Sequence, residues 1–419
     1  MKKKVVIAHP GKQHSFRIAT ALKKEQMLYK YITTVYNSDK SLIMKLIKRS
    51  VNIDNNKRIL TRKNHYLDDT DVIQFFEVYG LIEILLSRYD KRKKVYNWWH
   101  SFTSKKFGEK VAKFAIDNEV SAVILYDTNS KECFEILKEK NPEIKKIMDV
   151  SAANRVYMQN IFEKNLENIP KLFAEKLTSE VSDLWETKKM SYFQREIELS
   201  DYFLVPSNFV KTSLMFSGVG EEKIFVCPYG TNFKVDQNIK ETKKQKKISI
   251  VYVGNVTQSK GIYYMLEALK SIPNHQIEVN IVGNFDNQTG VFNDYINLYN
   301  FAGRQTHDVV MDYLKKADIF VFPSLGEGMT LAGLEAMALG LPIICTSNSG
   351  INDLIIDGYN GFVVPIENTK AIKDKIQWFI ENKDEIPQMS QNAKKVALEY
   401  SWENYEENVS NIISKILNN

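Results

Sequence analysis

The chain has 419 residues, of which 44% are hydrophobic and 26% are charged. This composition is typical of a soluble globular protein, and the length favours two domains of about 200 residues each over one compact core. No apolar run approaches the ~20 residues that a membrane-spanning helix needs, and the start of the chain does not read as a secretory leader. Cys133, Cys227 and Cys345 are scattered singly, which predicts reduced thiols and a cytoplasmic protein.

The net charge of +6 conceals an asymmetry along the chain. Residues 1–100 hold 21 Lys and Arg against 9 Asp and Glu, a balance of +12, so the rest carries 36 against 42, a balance of −6. Basic and aromatic residues mix within residues 88–100, a composition suited to an anionic membrane surface. The sequence therefore predicts either peripheral contact with the inner face of the cell membrane or an ordinary solvated surface. No nucleic-acid module is recognisable, so nucleic acid is not an expected partner.

The N-terminal half opens with a strand, a loop and a helix. Residues 4–8 form an apolar run that predicts a buried parallel strand, and residues 16–24 have helical spacing. Gly11 in the loop allows close approach of a ligand to the backbone at the carboxyl end of the strand, and His14 stands where the helix begins. Further strands are predicted at residues 122–126, 146–150, 202–205 and 223–227. Because helical segments separate several of these strands, a mostly parallel sheet is expected.

The composition becomes polar and rich in lysine from residue 233 to residue 247, as expected for an interdomain linker. A second alternating series follows, with strands predicted at residues 248–254, 277–282, 318–322, 342–345 and 361–364. From about residue 369 the chain has helical spacing. The sequence thus predicts an α/β protein with two Rossmann-like domains, residues 1–232 and 248–400, that face each other across a cleft.

Residues 328–352 contain a single charged residue, Glu335. Burial of a carboxylate without hydrogen-bond partners costs several kcal/mol, so Glu335 is expected to face a hydrogen-bond donor. Glu327 lies eight positions earlier in a loop, and a helix is predicted to begin near Thr330. The backbone N–H groups of residues 328–331 then lie between the two acids at the positive end of a helix dipole, which suits a phosphate group. A nucleotide sugar, with hydroxyls at both ends and phosphate between them, has this layout.

Residues 323–342 read Pro-Ser-Leu-Gly-Glu-Gly-Met-Thr-Leu-Ala-Gly-Leu-Glu-Ala-Met-Ala-Leu-Gly-Leu-Pro. This segment resembles the signature of the family 4 (group 1) retaining glycosyltransferases. The resemblance implies that Glu327 contacts the transferred sugar and that Glu335 holds the ribose hydroxyls. The neighbouring residues implied at the donor are Gly328, Met329, Thr330 and Leu331. It also implies the glycosyltransferase B fold, in which a last helix, about residues 401–419, crosses back onto the first domain with Trp402 as a packing residue.

A second donor element is expected at the start of the second domain, where a strand is followed by a polar loop and a helix. Lys260 in this loop could bring its ammonium group to the donor diphosphate, and the resemblance supports that role. Gly254 and Asn255 lie in the same loop, but relatives usually have Arg where this chain has Asn255, so part of the phosphate neutralisation is missing. Arg304, in a loop before another predicted helix, is a candidate to compensate or to contact the base. A solvated loop residue is the alternative.

In the first domain, the resemblance implies a glycine loop beside the donor phosphate and the acceptor, which makes Gly11, Lys12 and His14 candidates. Many relatives place a catalytic-site His after a middle strand of this domain. This chain has no His there, and Asp149 is the nearest polar group at a strand end. Ser207, at the exit of another predicted strand, is expected to face the cleft.

The activity implied by the resemblance is transfer of a hexosyl-type unit from a UDP- or GDP-sugar to a glycan or lipid-linked acceptor, with retention at the anomeric carbon. The candidate catalytic residues are Glu327, Lys260 and Asp149. The expected role of the protein is in bacterial cell-surface polysaccharide or glycoconjugate synthesis. No metal and no other cofactor is expected, and the pair Asp69 and Asp71 is interpreted as a coincidental imitation of a metal motif. Two alternatives stay open: a non-catalytic nucleotide-sugar or glycan-binding partner subunit of the same fold, and a nucleotide-sugar epimerase.

Overall fold

The structure is a computed structural model that describes residues 3–11, 14–39, 41–45, 59–90, 93–182, 185–231 and 247–418. Its strands form two sheets in which every described pairing of neighbouring strands is parallel. The prediction of an α/β protein with two Rossmann-like units is confirmed. The predicted linker, residues 233–247, lies outside the described residues except for Lys247.

The first sheet has the strand order β3-β2-β1-β4-β5-β6-β7. Its strands are β1 Val5–Ala8, β2 Leu28–Thr33, β3 Val72–Gln74, β4 Ala122–Tyr126, β5 Lys145–Asp149, β6 Tyr202–Val205 and β7 Ile224–Val226. Strand β1 is buried on both faces, because Val5 and Ile7 belong to one apolar cluster while Val6 and Ala8 belong to another. This two-sided burial explains the continuous apolar runs of the central strands. The sequence analysis missed β2 and β3, which form one edge of the sheet.

Helices connect the strands of the first half of the chain. Those with both ends in the described part of the chain are α1 Ser15–Lys24, α2 Glu77–Tyr89, α3 Lys94–Asp117, α4 Lys131–Lys140, α5 Arg155–Leu166, α6 Lys171–Val181, α7 Thr187–Leu199 and α8 Asn208–Phe216. Helices α2 and α3 pack on each other and form a hairpin. The loops at the carboxyl ends of β1, β4, β5 and β6 meet at one edge of the sheet, as parallel strands require.

The second sheet has the strand order β10-β9-β8-β11-β12-β13. Its strands are β8 Ile248–Val253, β9 Ile277–Val282, β10 Asn300–Gly303, β11 Ile319–Phe322, β12 Ile343–Thr346 and β13 Gly361–Val364. The helices of this half are α9 Ile262–Lys270, α10 Asn293–Ile296, α11 His307–Lys316, α12 Leu331–Ala338, α13 Thr369–Glu381 and α14 Ile386–Glu399. The strand that the sequence analysis missed here is the edge strand β10.

The last helix, α15 Trp402–Asn418, returns to the first half of the chain and packs on α1. The buried Glu406 accepts hydrogen bonds from Arg17 at 3.2 Å and from Lys24 at 2.7 Å. The Arg17 guanidinium also lies 4.9 Å from the centre of the Trp402 ring. These contacts fix the end of the chain to the helix that follows the first loop.

Cys133, Cys227 and Cys345 are buried and form no disulfide. Within the described residues, no helix combines the length and the apolar composition needed to cross a membrane.

Candidate functional site

Lys260 and Glu327 meet at the carboxyl edge of the second sheet. Lys260 ends a short 3-10 turn, Gln258–Lys260, that follows β8, and Glu327 lies in the loop between β11 and α12. The Lys260 ammonium forms an ion pair with the Glu327 carboxylate. Burial lowers the pKa of Lys260 to about 8, while the nearby Glu180 carboxylate acts in the opposite direction. The Lys260 ammonium group, whose pKa is about 8, therefore lies at the edge where ligands bind in open α/β sheets.

Glu180 positions the turn that carries Lys260. It comes from α6 in the first half of the chain, and its carboxylate accepts the backbone N–H groups of Gln258 at 3.1 Å and Ser259 at 3.0 Å. Burial raises the pKa of Glu180, and these two hydrogen bonds oppose the rise. The buried Gln258 side chain also donates to Asn165 at 3.0 Å. The sequence analysis missed Glu180, because nothing in its own segment distinguishes it from the other acids of an amphipathic helix.

Glu335 lies in the second turn of α12, directly above the helix start. Thr330 caps the helix, since its hydroxyl accepts the backbone N–H of Gly333 at 3.3 Å. The Glu335 side chain is 20% exposed, and its Oε1 lies 3.2 Å from Nε2 of His307, the first residue of α11. The partner expected from the sequence is thus an imidazole on a neighbouring helix. His307 stands at a helix start, and its contact with Glu335 was not predicted from the sequence.

The loop that carries Glu327 presses against the first half of the chain. A Cβ atom on Gly328 would lie 1.8 Å from the carbonyl oxygen of Ser151, in the loop after β5. The buried Ser207 hydroxyl donates to the Gly328 carbonyl at 2.7 Å. One residue further on, the Asn208 N–H donates to the Asp353 carboxylate at 2.6 Å. The two halves therefore touch through backbone at the candidate donor loop, where a side chain on Gly328 has no room.

The remaining donor candidates differ in exposure. Met329 and Thr330 are buried, whereas Leu331 is 48% exposed at the start of α12. Asn255 is exposed beside Gly254, and its backbone carbonyl accepts the Tyr252 hydroxyl at 2.6 Å.

Arg304 is exposed in the loop between β10 and α11. Among the described residues, no hydrogen bond or ion pair joins the side chain of Arg304 or Asn255 to Lys260 or Glu327. A role for Arg304 as the compensating cation therefore stays a prediction.

In the first half, Asp149 and His14 form a pair. Asp149 is the last residue of β5, and its Oδ2 lies 3.0 Å from Nε2 of His14, which directly precedes α1. The His14 ring packs on Tyr126 and Tyr229, at centroid distances of 5.3 Å and 4.7 Å. Gly11 lies in the same loop and donates its N–H to His9. Lys12 lies outside the described residues.

Two polar residues at this edge were missed by the sequence analysis. Asp127 directly follows β4, and burial together with the Asp149 charge raises its pKa to about 6. His9 directly follows β1 and is 5% exposed. Both residues could have been identified from the sequence, because each is the first polar residue after a buried parallel strand.

A cavity of about 580 Å³ is lined by one candidate residue from each half of the chain, His14 and Leu331. His14 and Tyr229 line it from the first half, and Leu331 lines it from the start of α12. Trp402 also lines it, and its ring packs on Tyr229 and Tyr405 at centroid distances of 6.3 Å and 5.3 Å, as expected for a packing residue. This volume lies within the range of small-molecule sites, about 300–1,000 Å³.

Asp69 and Asp71 make contacts within the first half of the chain. Asp71 pairs with Lys23 at 2.5 Å, and Asp69 accepts the Ser38 hydroxyl at 2.7 Å. In the part of the chain that the structure describes, no group of three or more His, Cys, Asp or Glu side chains is placed to hold a metal ion.

Comparisons with known proteins agree with this arrangement. Residues 234–396 match the family model for glycosyl transferases group 1. The chain is similar to the capsular polysaccharide biosynthesis glycosyltransferase CapM of Staphylococcus aureus, with 27% identity over 212 residues, 45% of this chain and 54% of the relative. The chain spans about half of the length of several curated relatives that it matches.

Solved structures resemble the whole chain. Sucrose-phosphate synthase from Thermosynechococcus elongatus superposes with a TM-score of 0.65 at 16% identity, over 99% of each chain. HepE from Anabaena, in complex with UDP, superposes with a TM-score of 0.59 at 13% identity, over 99% of this chain and 100% of HepE. At these identities the likeness concerns the fold. Residues 234–396 are thus similar to the group 1 glycosyl transferases, and the whole chain shares the two-sheet glycosyltransferase B fold of these solved structures.

Proposed function

We propose that the chain is a retaining glycosyltransferase that moves a hexosyl-type unit from a UDP- or GDP-sugar to a glycan or lipid-linked acceptor. The observation that carries this proposal is the ion pair of Lys260 with Glu327 beside the start of α12. It joins a cation, a carboxylate and a helix N-terminus at the carboxyl edge of a parallel sheet. This combination is suited to a phosphate group that carries a sugar.

Departure of the diphosphate is the step that this site would assist. Negative charge grows on the leaving phosphate oxygens as the bond to the anomeric carbon breaks, and a positioned cation and N–H dipoles stabilise that charge. Lys260 supplies the cation, and the first N–H groups of α12 lack intrahelical partners. When the donor binds, Lys260 would pair with the diphosphate instead of with Glu327. The Glu327 carboxylate would then orient the sugar by accepting hydrogen bonds from its hydroxyls.

Retention is proposed to follow a front-face route. The acceptor hydroxyl bonds to the anomeric carbon on the side from which the diphosphate departs, and a departing phosphate oxygen takes the hydroxyl proton. This route needs neither a protein nucleophile nor a metal ion. His14 and Asp149 would line the acceptor side, because His14 shares the 580 Å³ cavity with Leu331.

The names of similar proteins support the class of substrate. CapM is described as acting in capsular polysaccharide biosynthesis, and HepE was solved with UDP. By analogy, we infer a role in bacterial cell-surface polysaccharide or glycoconjugate synthesis with a nucleotide-sugar donor. The acceptor would be reached from the cytoplasmic side, at the inner face of the membrane.

The hairpin of α2 and α3 supports peripheral membrane contact. Exposed apolar residues recur at helical spacing on both helices, including Leu85 and Tyr89 on α2 and Val95 and Trp98 on α3. Tyr89 is 69% exposed and Trp98 is 65% exposed. Exposed basic residues accompany them, namely Arg88, Lys93, Lys94, Lys105 and Lys106. Apolar stripes flanked by Lys and Arg, with Trp and Tyr among them, suit the interface of an anionic bilayer.

Vesicle binding tests this contact. The chain is expected to sediment with vesicles that contain phosphatidylglycerol at low salt and much less with neutral phosphatidylcholine vesicles. Trp98→Ser should weaken binding about tenfold or more, because an inserted aromatic side chain contributes about 2 kcal/mol of apolar burial. Leu398→Ser, at a residue on α14 that is 61% exposed, is the matched control and should bind like the wild type. Equal binding of Trp98→Ser and the wild type would argue against the hairpin as the contact.

Thermal unfolding with nucleotides tests the donor site. UDP, GDP and their common sugar conjugates are added in turn, and one nucleotide family is expected to stabilise the wild type. At 100 times its dissociation constant a ligand adds about 2.7 kcal/mol to the free energy of unfolding. Glu335→Ala should lose most of this stabilisation, because the proposed ribose contact is removed.

The same experiments separate the alternatives. A non-catalytic partner subunit, which the exposed Asn255 in place of the usual Arg favours, predicts that stabilisation of the wild type by nucleotides and nucleotide sugars is weak or absent. An epimerase predicts that a nucleotide sugar is converted in the absence of any acceptor.

A further inference from the structure

Helix α6 belongs to the first half of the chain by sequence but packs on the second half. Its apolar face consists of Phe173, Leu177 and Val181, which are all buried. The Phe173 ring lies 5.0 Å from the ring of Tyr263 in α9 and 6.1 Å from the ring of Phe292, which directly precedes α10. Because burial of apolar surface is the dominant favourable term in such contacts, these side chains anchor α6 to the second half.

Polar side chains of α6 reach the loops that follow β8 and β9. The Glu180 carboxylate accepts two backbone N–H groups, at 3.1 Å and 3.0 Å, from the turn that ends at Lys260. Four positions earlier on the same face of the helix, Lys176 pairs with Asp286 in the loop after β9 at 2.8 Å. Asp286 also accepts the N–H of Gln288 at 2.9 Å, so it shapes that loop. Helix α6 therefore contacts two neighbouring loops at the carboxyl edge of the second sheet.

The two loops also contact each other. The Val256 N–H, in the loop after β8, donates to the Asn284 carbonyl, in the loop after β9, at 2.9 Å. A Cβ atom on Gly283 would lie 1.7 Å from the carbonyl oxygen of Gly254, so the backbones of the two loops are in direct contact. Because closely packed groups transmit displacements, a shift of one loop must move the other. Helix α6 thus holds both loops as one unit that includes Lys260.

Glu180 also affects the charge of the donor site. The Lys260 ammonium forms an ion pair with Glu327 and also interacts with the negative charge of Glu180. Burial lowers the pKa of Lys260, and the Glu180 carboxylate limits that decrease. Burial raises the pKa of Glu180 itself, and the positive charge of Lys176 is among the groups that oppose the rise. The contact of α6 with the second half therefore influences both the position and the charge of Lys260.

We propose that α6 couples occupancy of the donor site to the contact between the two halves of the chain, with Glu180 as the positioning residue for Lys260. This inference rests on the proposed function and names a regulation of its donor site. A bound diphosphate fixes the turn that carries Lys260, and the fixed turn holds α6 more tightly through Glu180. The coupling is reciprocal by thermodynamic linkage, so loosening of α6 weakens binding of the donor.

Titration calorimetry with UDP and GDP at several pH values tests the role of Glu180. Glu180→Gln keeps the size of the side chain and one acceptor oxygen but removes the charge, and it should weaken nucleotide binding about tenfold. The loss of affinity with rising pH should also begin at a lower pH than in the wild type, because the pKa of Lys260 decreases further. Glu180→Asp keeps the charge, so it should keep the wild-type pH profile while binding more weakly. A merely structural role would weaken binding without moving the pH profile.

Hydrogen exchange followed by mass spectrometry tests the coupling itself. A saturating nucleotide should slow exchange of the backbone amides of α6 in the wild type and do so much less in Glu180→Gln. Lys176→Met removes the partly exposed ion pair with Asp286 and should weaken nucleotide binding about threefold. Glu175→Gln, at a residue of α6 whose side chain is 61% exposed, is the matched control and should bind and exchange like the wild type.

A wild-type pH profile in Glu180→Gln, or unchanged exchange of α6 in the presence of a nucleotide that binds, overturns the inference and leaves the donor proposal intact. Absence of nucleotide binding in the wild type overturns the proposed function and this inference together. If Glu180→Gln does not fold, as judged by its melting temperature, the affinity of Lys176→Met and the exchange of α6 in the wild type decide the outcome.

Discussion

Replacement of Lys260 by Met is expected to lower kcat/KM for glycosyl transfer by about 10²- to 10³-fold, the effect of removing one positioned charge from a developing anion. The reason is the position of Lys260, whose ammonium pairs with Glu327 beside the start of α12. Methionine keeps most of the length and apolar volume of the lysine stem, so folding should be little changed. Steady-state kinetics with the donor identified by thermal unfolding measures the effect.

The control removes a lysine from a comparable ion pair elsewhere. Lys211 pairs with Glu221 at 2.7 Å on the surface, and Lys211→Met should retain wild-type kinetics. Equal rates for Lys260→Met and the wild type would remove Lys260 from the proposed mechanism.

The pH dependence of donor binding provides a second readout of Lys260. Because burial lowers the pKa of Lys260 to about 8 in the free protein, a bound diphosphate should raise that pKa again. Affinity for UDP or GDP is then fully present below pH about 8 and falls as the pH rises further. Titration calorimetry at about pH 7 and about pH 9 should show this decrease in the wild type and little of it in Lys260→Met. An unchanged affinity in the wild type would contradict the assignment.

Gly328→Ala is expected to destabilise the chain and to weaken nucleotide binding. The added Cβ would lie 1.8 Å from the Ser151 carbonyl oxygen, so either the donor loop or the contact between the two halves must shift. Overpacking of this kind costs about 1–3 kcal/mol. A melting temperature several degrees lower, together with a weaker nucleotide affinity, is the expected result of thermal unfolding and calorimetry.

Two variants separate the causes of this effect. Gly218→Ala adds a methyl group where no atom lies within 4 Å, and its φ of 85° adds backbone strain that Gly328 does not have, so its loss of stability is an upper limit for an added methyl group without a close contact. Ser207→Ala removes the hydrogen bond to the Gly328 carbonyl without adding volume. If Gly328→Ala matches the wild type in both stability and affinity, the close contact at Gly328 is not important for the site.

The parts of the fold that the sequence predicted are those with local signals. The central strands are continuous apolar runs because both faces of each sheet are buried, and α12 begins after Thr330 because the threonine side chain caps it. Glu335 stood out for a physical reason as well, because a lone carboxylate in an apolar helix requires a partner.

The missed strands lack such signals. Strand β3 has three residues, all only partly buried, and β10 is a short edge strand that begins with the exposed Asn300. Neither has the continuous apolar run of a central strand, so pairing with a neighbouring strand decides their conformation. Sequence pattern alone does not distinguish such segments from loops.

Several site residues could not be predicted because their contacts join distant parts of the chain. Glu180 acts on a turn 78 residues later, and His307 meets Glu335 across 28 residues. Each lies on a helix whose local pattern is ordinary. By contrast, Asp127 and His9 follow predicted strands and could have been found by applying the strand-end rule to every strand.

The most direct test of the donor site is phosphorus NMR of UDP- and GDP-sugars incubated with the purified chain and a bacterial membrane lipid extract as a source of acceptor. The wild type is expected to convert one nucleotide sugar to free nucleoside diphosphate, and Lys260→Met is expected to do so at least about 10²-fold more slowly. Release of nucleoside diphosphate by Lys260→Met at the wild-type rate, or no release of nucleotide from any sugar donor by the wild type, would contradict the proposed chemistry.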